Sequence, residues 1–390
     1  MNYIYLDNSA TTKPSEASLK KMGEALTVCY GNPSSVHKIG NEAKKMMDEA
    51  RRQVILSLGF RRENDCRLIF TSGGTEANNL AIFGSVFAKD RPSKNGSRGK
   101  IFISDGEHSS VVNAAKRLEA EGFTVLEVPT VGGVLDLDYI RENVDNNTIL
   151  ASFMLANNET GAIYDVKSAF SIIRAASPKA VCHTDAVQAY LKTKFTPTSL
   201  GADLLSVSSH KIFAPKGAGA LYITHDMIKA KRLIPTVYGG GQEDDFRSGT
   251  ENVPAIVAFG AAAAEGKADF AKRIEKITAL REQLLSGIEN MNVRANIPEN
   301  TLPNIINITL PSIRSEIMLN YLSGEGICVS AGSACSTHSS GPSHALLAYG
   351  LPKDEADTSI RISLSHENTS EEIDAFLSSL CKGINSLAKK

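Results

Sequence analysis

The sequence predicts an α/β protein whose core is a mainly parallel β-sheet covered by helices on both faces. Short runs rich in β-branched residues alternate with longer amphipathic stretches over roughly the first two thirds of the chain. Such alternation is typical of β-α-β units, which form parallel sheets. The pattern then changes to long helical stretches followed by short strands, which indicates a second, smaller α+β region.

Seven strands are predicted in the first region, with helices in most of the intervals between them. These strands are Arg67–Thr71, Lys100–Ser104, Thr124–Val128, Thr148–Phe153, Ala180–His183, Leu204–Val207 and Ala220–Thr224. Two of the clearest helices are expected at Ser109–Glu121 and Asp165–Ala176. Because parallel sheets bind ligands at the carboxyl ends of their strands, the residues that follow each strand are candidates for a functional site.

The second region begins with Val253–Met291, which is predicted to form one or two long helices. The elements expected after it are strand Asn304–Thr309, helix Ser312–Leu322, strands Ile327–Val329 and Ser359–Leu364, and helix Ser370–Ala388. The predicted division is therefore a large domain at 15–260 and a small domain formed by 1–14 and 261–390.

Composition excludes several classes of protein. The 390 residues are 42% hydrophobic and 22% charged, with a net charge of -1, so no global charge favours nucleic acid or an anionic membrane. The longest apolar stretch, Val253–Ala264, is too short to span a bilayer and contains Pro254 and Gly260. No secretory leader is seen, and the six cysteines form no C-x-x-C pair, so free thiols and a cytoplasmic location are expected.

Polar residues follow nearly every strand of the predicted sheet. After the first strand, Gly73 and Gly74 allow a tight turn and Thr75 can cap the next helix, an arrangement that favours phosphate. The ends of four later strands add His108, Asn158, Asp185, Gln188, Ser208, His210 and Lys211. An ordinary turn or helix cap, such as an N-cap at Asp185, explains each residue alone, but parallel strands bring these ends to one edge.

Pyridoxal phosphate is one cofactor that uses all of these groups. It needs a lysine for a Schiff base and an acid near its pyridine nitrogen. An ionised aspartate keeps that nitrogen protonated, so that the ring can accept the electron pair of a carbanion. The glycine turn offers a place for the phosphate, and a histidine offers a group that stacks on the ring.

Motifs along almost the whole chain resemble the NifS/IscS class of cysteine desulfurases. This class belongs to the class V aminotransferase group of fold-type I enzymes that use pyridoxal phosphate. The resemblance rests on these segments: 6–12 (LDNSATT), 31–37 (GNPSSVH), 71–76 (TSGGTE), 107–108 (EH), 157–159 (NNE), 185–188 (DAVQ), 208–211 (SSHK), 247–250 (RSGT), 333–335 (SAC) and 359–361 (SIR).

The resemblance implies a role for each cofactor-contacting residue. Lys211 would carry the cofactor as a Schiff base, and His108 would stack on the pyridine ring and help to move protons. Asp185 would pair with the pyridine nitrogen, and Gln188 would hydrogen-bond the phenolic oxygen, with Asn158 nearby. The phosphate would be held by Gly74, Thr75, Ser208 and His210.

Two further residues extend the implied site. Thr250 would reach the phosphate of the neighbouring subunit, which implies a homodimer with shared sites. Arg361 would bind the carboxylate of the substrate, for which its planar fork is well suited. Asn158 lies on the same substrate side.

Cys335 decides the predicted reaction. Its neighbours are small and polar, whereas Cys328 lies between Ile327 and Val329, as a structural thiol does. The expected reaction removes sulfur from L-cysteine, leaves a persulfide on Cys335 and releases L-alanine. Lys211 and His108 are the other expected catalytic residues.

The sulfur acceptor is left open by the sequence. The spacing between Cys335 and Ser343 resembles the long-loop group, whose members supply iron–sulfur cluster assembly or tRNA thiolation. However, members of the class often have Gly at the position of Ser209, and the residues after Cys335 differ from the usual IscS sequence. Alternatives are a selenocysteine lyase, a cysteine sulfinate desulfinase, a true aminotransferase, or a non-catalytic scaffold that binds a sulfur carrier.

Overall fold

A computed structural model of the chain describes residues 3–88, 98–332 and 341–387. Its largest element is a seven-stranded sheet in the order β2-β8-β7-β6-β5-β3-β4. The strands are β2 (Arg67–Thr71), β3 (Lys100–Ser104), β4 (Thr124–Val128), β5 (Thr148–Met154), β6 (Val181–Asp185), β7 (Leu204–Ser208) and β8 (Gly219–Ile223). Only the pairings of β8, with β2 and β7, are antiparallel. The predicted α/β fold with a mainly parallel seven-stranded sheet is confirmed.

Helices cover both faces of this sheet. They are α1 (Glu16–Thr27), α2 (Lys38–Ser57), α3 (Gly74–Val86), α4 (Ser109–Ala120), α5 (Leu137–Asn143), α6 (Val166–Ala176), α7 (Pro197–Leu200), α8 (His225–Lys229) and α9 (Val253–Ala268). Side chains of a strand alternate between the faces. Accordingly, Phe102 of β3 packs in the core below α2, α6 and α9, whereas Ile101 and Ile103 pack against α3 and α4.

A second, separate core lies in the C-terminal region. Its elements are α10 (Phe270–Ile288), β9 (Arg294–Asn296), β10 (Ile305–Thr309), α11 (Ser315–Gly324), β11 (Ile327–Cys328), α12 (His344–Ala348), α13 (Lys353–Asp357), β12 (Ser359–Ser363) and α14 (Ser370–Leu387). Strands β12, β10 and β9 form an antiparallel sheet. The N-terminal strand β1 (Ile4–Tyr5) pairs with β11, and Leu6 is buried in this core. The predicted domain boundaries stay a prediction.

Several predicted bounds differ from the structure by a few residues, and two of them are informative. The helix predicted from Ser312 begins three residues later, at Ser315, because Ser312 has a φ of 54° that an α-helix cannot include. The strand predicted to end at His183 continues to Asp185, so this aspartate lies at the strand end itself. Among the described helices, none is both long and apolar enough to cross a membrane.

Candidate active site

The carboxyl ends of the sheet strands open onto a cavity of about 180 Å³. Its other walls come from the N-terminal segment and from β12. Ten of the predicted site residues line it together: Gly74, Thr75, His108, Asn158, Asp185, Gln188, Ser208, His210, Lys211 and Arg361. The structure therefore brings to one place residues that are spread over nearly 290 positions of the chain, as the parallel sheet predicts.

Asp185 lies at the end of β6 with its side chain almost completely buried. One carboxylate oxygen accepts a hydrogen bond of 2.7 Å from Asn78 Nδ2, and the other accepts one of 2.9 Å from the Val187 amide. No helix follows until Pro197, so Asp185 is not an N-cap. A buried carboxylate held only by neutral donors is well suited to a cationic partner in the cavity.

Asn78 links Asp185 to His108. Its Nδ2 also donates to Ser110 Oγ at 2.9 Å, and this hydroxyl lies 2.8 Å from His108 Nδ1. His108 is the N-cap of α4, because its Nδ1 accepts the Ser110 amide at 3.2 Å. Sequence reasoning assigned no role to Asn78, although its place one helical turn after Gly74 on α3 was a signal that it faces the same cavity.

The surroundings of His108 disfavour the charged form of its imidazole. Burial lowers the pKa of its imidazole, and the charges of Lys211 and His344 lower this pKa further, whereas Asp185 opposes the shift. Since Nδ1 accepts the Ser110 amide, the neutral ring carries its proton on Nε2. Burial, followed by the charge of Lys211 and those of other nearby cations, lowers the pKa of His210 to about 3.

One end of the cavity has the features of a phosphate site. Helix α3 begins at Gly74, and its first backbone N–H groups have no partner within the helix. A Cβ atom on Gly74 would come within 2.8 Å of Val187 Cγ2, so a larger residue would crowd this wall. Ser208 Oγ is buried without a hydrogen-bond partner among the described residues. The prediction that Thr75 caps α3 is wrong, because the cap position is Gly73 and Thr75 lies inside the first turn.

Lys211 lies just after β7, in the short 3-10 helix Ser209–Lys211. Its Nζ donates to the carbonyl oxygens of Ser9 and Ala10, the latter at 2.9 Å. Gln188 Nε2 donates to the same Ser9 oxygen at 2.9 Å. The N-terminal segment thus holds the amine of Lys211 at the centre of the cavity, through backbone atoms that residue types alone do not reveal.

Arg361, on β12, is 1% exposed and reaches the cavity from the side opposite the sheet. Its Nη2 forms an ion pair of 2.7 Å with Asp7, and its Nη1 donates to the Asn158 carbonyl oxygen at 2.8 Å. The Nε atom has no partner among the described residues. These contacts hold the guanidinium group in place while leaving N–H groups free for an anionic ligand.

Two predicted residues do not join this cavity. Thr250 is exposed and lies with Ser72 and Arg247 at a different cavity. Cys335 lies outside the described residues, so the structure places no atom of it. The described residues on either side of it meet at Glu159: a Cβ on Gly332 would lie 3.1 Å from its Oε2, and Ser343 Oγ donates to this oxygen at 2.5 Å.

The family model Aminotransferase class-V matches residues 4–376. The chain belongs to this family. Enzymes of the class-V family depend on pyridoxal phosphate, and the cavity fits this cofactor at its carboxylate, its lysine and its unpartnered serine hydroxyl.

Relatives in the class-V family support the narrower resemblance as well. The chain is 39% identical over 379 residues to the cysteine desulfurase of Trichormus azollae, covering 96% of this chain and 91% of the relative. It is 36% identical to cysteine desulfurase IscS 1 of Archaeoglobus fulgidus, with 96% and 94% covered. A solved NifS-like protein is 35% identical with a TM-score of 0.89, covering 99% of this chain and 100% of that one. The resemblance to NifS/IscS enzymes is confirmed.

Proposed function

We propose that this protein is a cysteine desulfurase, which takes sulfur from L-cysteine and releases L-alanine. The observation that carries the proposal is the convergence of Lys211, Asp185 and Arg361 on one cavity of a chain that is similar to named cysteine desulfurases. A further solved relative, SspA in complex with cysteine, is 30% identical with a TM-score of 0.79 and covers 94% of this chain. We extend that ligand, L-cysteine, to this cavity.

The cavity residues would hold pyridoxal phosphate as follows. Lys211 bonds it covalently as a Schiff base, and Asp185 supplies the negative charge that a protonated pyridine nitrogen requires. The phosphate group would be held by the residues predicted for it: Gly74, Thr75, Ser208 and His210. When bound, the cofactor accepts the electron pair that remains after a proton leaves the substrate α-carbon.

The side chains around this cofactor orient the substrate and move its protons. Arg361 binds the substrate carboxylate with N–H groups that Asp7 and Asn158 leave free. The Lys211 amine, once released from the cofactor, accepts the α-proton at Nζ, because the Ser9 and Ala10 carbonyl oxygens stabilise the ammonium group that results. When its imidazole is neutral, His108 carries its proton on Nε2, so it can donate a hydrogen bond from this atom to a ligand in the cavity.

Cys335 receives the sulfur in this proposal. Its thiolate attacks the substrate sulfur, an S–S bond forms, and the C–S bond breaks. The electron pair of the broken bond stays with the carbon skeleton, which takes up a proton and leaves as alanine. Gly332 and Ser343, which flank the Cys335 segment, both lie beside Glu159, and the adjacent Asn158 lines the cavity. This supports the view that the segment starts and ends close to the substrate.

The proposed assembly is a cytoplasmic homodimer. Thr250 lies away from the cavity of its own chain, and the resemblance assigns it to the phosphate of a second subunit. The persulfide would then pass to an acceptor protein, either an iron–sulfur scaffold or a tRNA-thiolation enzyme.

The test is the release of sulfide and alanine from the yellow, cofactor-loaded protein given L-cysteine and a reductant, beside the Cys335→Ala variant. Equal amounts of both products from the wild type, and neither from the variant, would support desulfuration through Cys335. A yellow protein that makes no sulfide would overturn the proposal in favour of selenocysteine, cysteine sulfinate or amino-group transfer. A protein that binds no cofactor would favour the non-catalytic scaffold.

A further inference from the structure

Lys192 is a partly buried lysine for which the proposed reaction gives no role. It follows Gln188 by four residues in the turns after β6. Its Nζ donates to Gln188 Oε1 at 3.1 Å, while Gln188 Nε2 donates to the Ser9 carbonyl oxygen at 2.9 Å. The oxygen of this buried amide therefore accepts from Lys192, and its nitrogen donates to Ser9.

These two partners determine which way the Gln188 amide faces. The oxygen and nitrogen of an amide have nearly the same shape, so packing alone does not distinguish the two orientations. If the amide turned over, its NH2 group would face the Lys192 ammonium and its oxygen would face the Ser9 oxygen. Donor would then meet donor, and acceptor would meet acceptor. The observed orientation leaves the second N–H of Nε2 for the cofactor cavity, which Gln188 lines.

The surroundings of Lys192 provide little other use for its charge. Among the described residues, no carboxylate forms an ion pair with it. Burial, together with the nearby charges of Lys211 and Arg361, lowers the pKa of Lys192 to about 7. Lys192 also lines a second cavity of about 30 Å³, shared with Lys211 and Asn304, which has room for a water molecule.

We propose that Lys192 is a positioning residue, whose Nζ donates to Gln188 Oε1 and so holds the amide with its NH2 group toward the cofactor. The inference rests on the proposed function, in which Gln188 donates to the phenolic oxygen of pyridoxal phosphate. Without Lys192, the amide can present its oxygen to that phenolic oxygen instead. The phenolic oxygen then loses a donor and retains more negative charge, which strengthens proton binding at the nitrogen that joins Lys211 to the cofactor.

The test is a pH titration of the visible absorbance of the cofactor-loaded, full-length protein. The variants are Lys192→Met, Lys192→Arg, Gln188→Ala and the Lys192→Met/Gln188→Ala double variant. The other charged groups of the cavity, His108, Asp185 and Arg361, stay unchanged in all of them. Lys192→Met should raise the midpoint pH by about half a unit or more, the size expected for one lost hydrogen bond. Lys192→Arg, which keeps a donor, should restore it.

The double variant separates positioning from a direct effect of charge. If Lys192 acts through Gln188, adding Lys192→Met to Gln188→Ala should shift the midpoint no further. A shift of equal size in both backgrounds, or no shift in either, would overturn the inference. Should Lys192→Met not fold, Lys192→Leu also removes the donor and answers the same question.

This titration requires no substrate. A protein that titrates as expected but releases no sulfide from cysteine would keep the role of Lys192 and lose the proposed substrate. A wild type that takes up no cofactor would overturn both.

Discussion

The two walls of the active-site cavity are built in different ways. The sheet wall consists of residues at or just after strand ends, such as Asp185, which is bonded to Asn78 of α3, and Lys211, which is bonded to the N-terminal segment. The facing wall consists of the N-terminal segment and β12, and its central contact joins Asp7 to Arg361 across 354 positions. The sheet wall is thus formed by topology, whereas the facing wall forms only when two distant parts of the chain meet.

This difference separates the two halves of the proposed chemistry. Residues of the sheet wall hold the cofactor, and Arg361 of the facing wall holds the substrate. Substitutions in the sheet wall should therefore change the absorbance of the bound cofactor. Substitutions in the facing wall should change the kinetics with cysteine and leave the absorbance as it is.

The largest effect is expected for Lys211→Ala in the sheet wall. This variant loses both the covalent bond to the cofactor and the proton acceptor, so sulfide release should fall by about 10³-fold or more. Visible absorbance of the purified protein and the rate of sulfide release measure the two losses. Lys229→Ala, at an exposed lysine, is the matched control and should behave as wild type. Activity retained in Lys211→Ala would move the proposed chemistry to another lysine.

A smaller effect, confined to substrate binding, is expected for Arg361→Lys in the facing wall. Lysine keeps the charge but loses the planar fork, so KM for L-cysteine should rise by about 10- to 100-fold, the range for a lost charge-assisted hydrogen bond. The absorbance of the bound cofactor should stay unchanged. Steady-state kinetics and a visible spectrum check both parts. If the absorbance of the bound cofactor changed while the KM for L-cysteine did not, the separation of the two walls would be contradicted.

A third effect concerns stability behind the sheet wall and leaves the chemistry of the site untouched. Glu107 is fully buried, with its carboxyl bonded to Ser104 Oγ and to the Met154 amide. Burial raises the pKa of this carboxyl from its ordinary 4.5 to about 8, so the folded protein keeps the proton that the unfolded chain loses above pH 4.5. The free energy of unfolding should therefore fall between pH 4.5 and 8, by at most about 1.4 kcal/mol per pH unit.

Glu107→Gln tests this contribution because glutamine cannot ionise. Urea unfolding at several pH values between 5 and 8 should show a flatter decline for the variant than for the wild type. Glu119→Gln, at an exposed position of α4, is the control and should keep the wild-type decline. If the free energy of unfolding declined equally with pH in the wild type and in Glu107→Gln, the Glu107 carboxyl would ionise as easily in the folded protein as in the unfolded chain.

Much of the fold could be predicted because the periodicity of apolar residues and the composition of a segment are local properties. The alternation of β-branched runs with amphipathic stretches predicts β3 and β4 with their observed bounds. The local errors have local causes. Thr75 is a good capping residue by type, but Gly73 occupies the cap position, and the positive φ of Ser312 is set by the chain around it. The roles of the site residues stay predictions until the variants are measured.

The sequence by itself determined the sheet, the order of polar residues at its strand ends and the family resemblance, since these depend on residue type and spacing. Only the tertiary structure decided how the site is held together. The contacts of Asn78 with Asp185, of Lys211 with the Ser9 carbonyl and of Arg361 with Asp7 join residues from distant parts of the chain. Two of these use backbone oxygens or neutral amides, groups so common along any chain that no pattern marks them. The orientation of a buried amide such as Gln188 depends on the groups that surround it in the folded protein. The spacing of residues along the sequence does not predict this orientation.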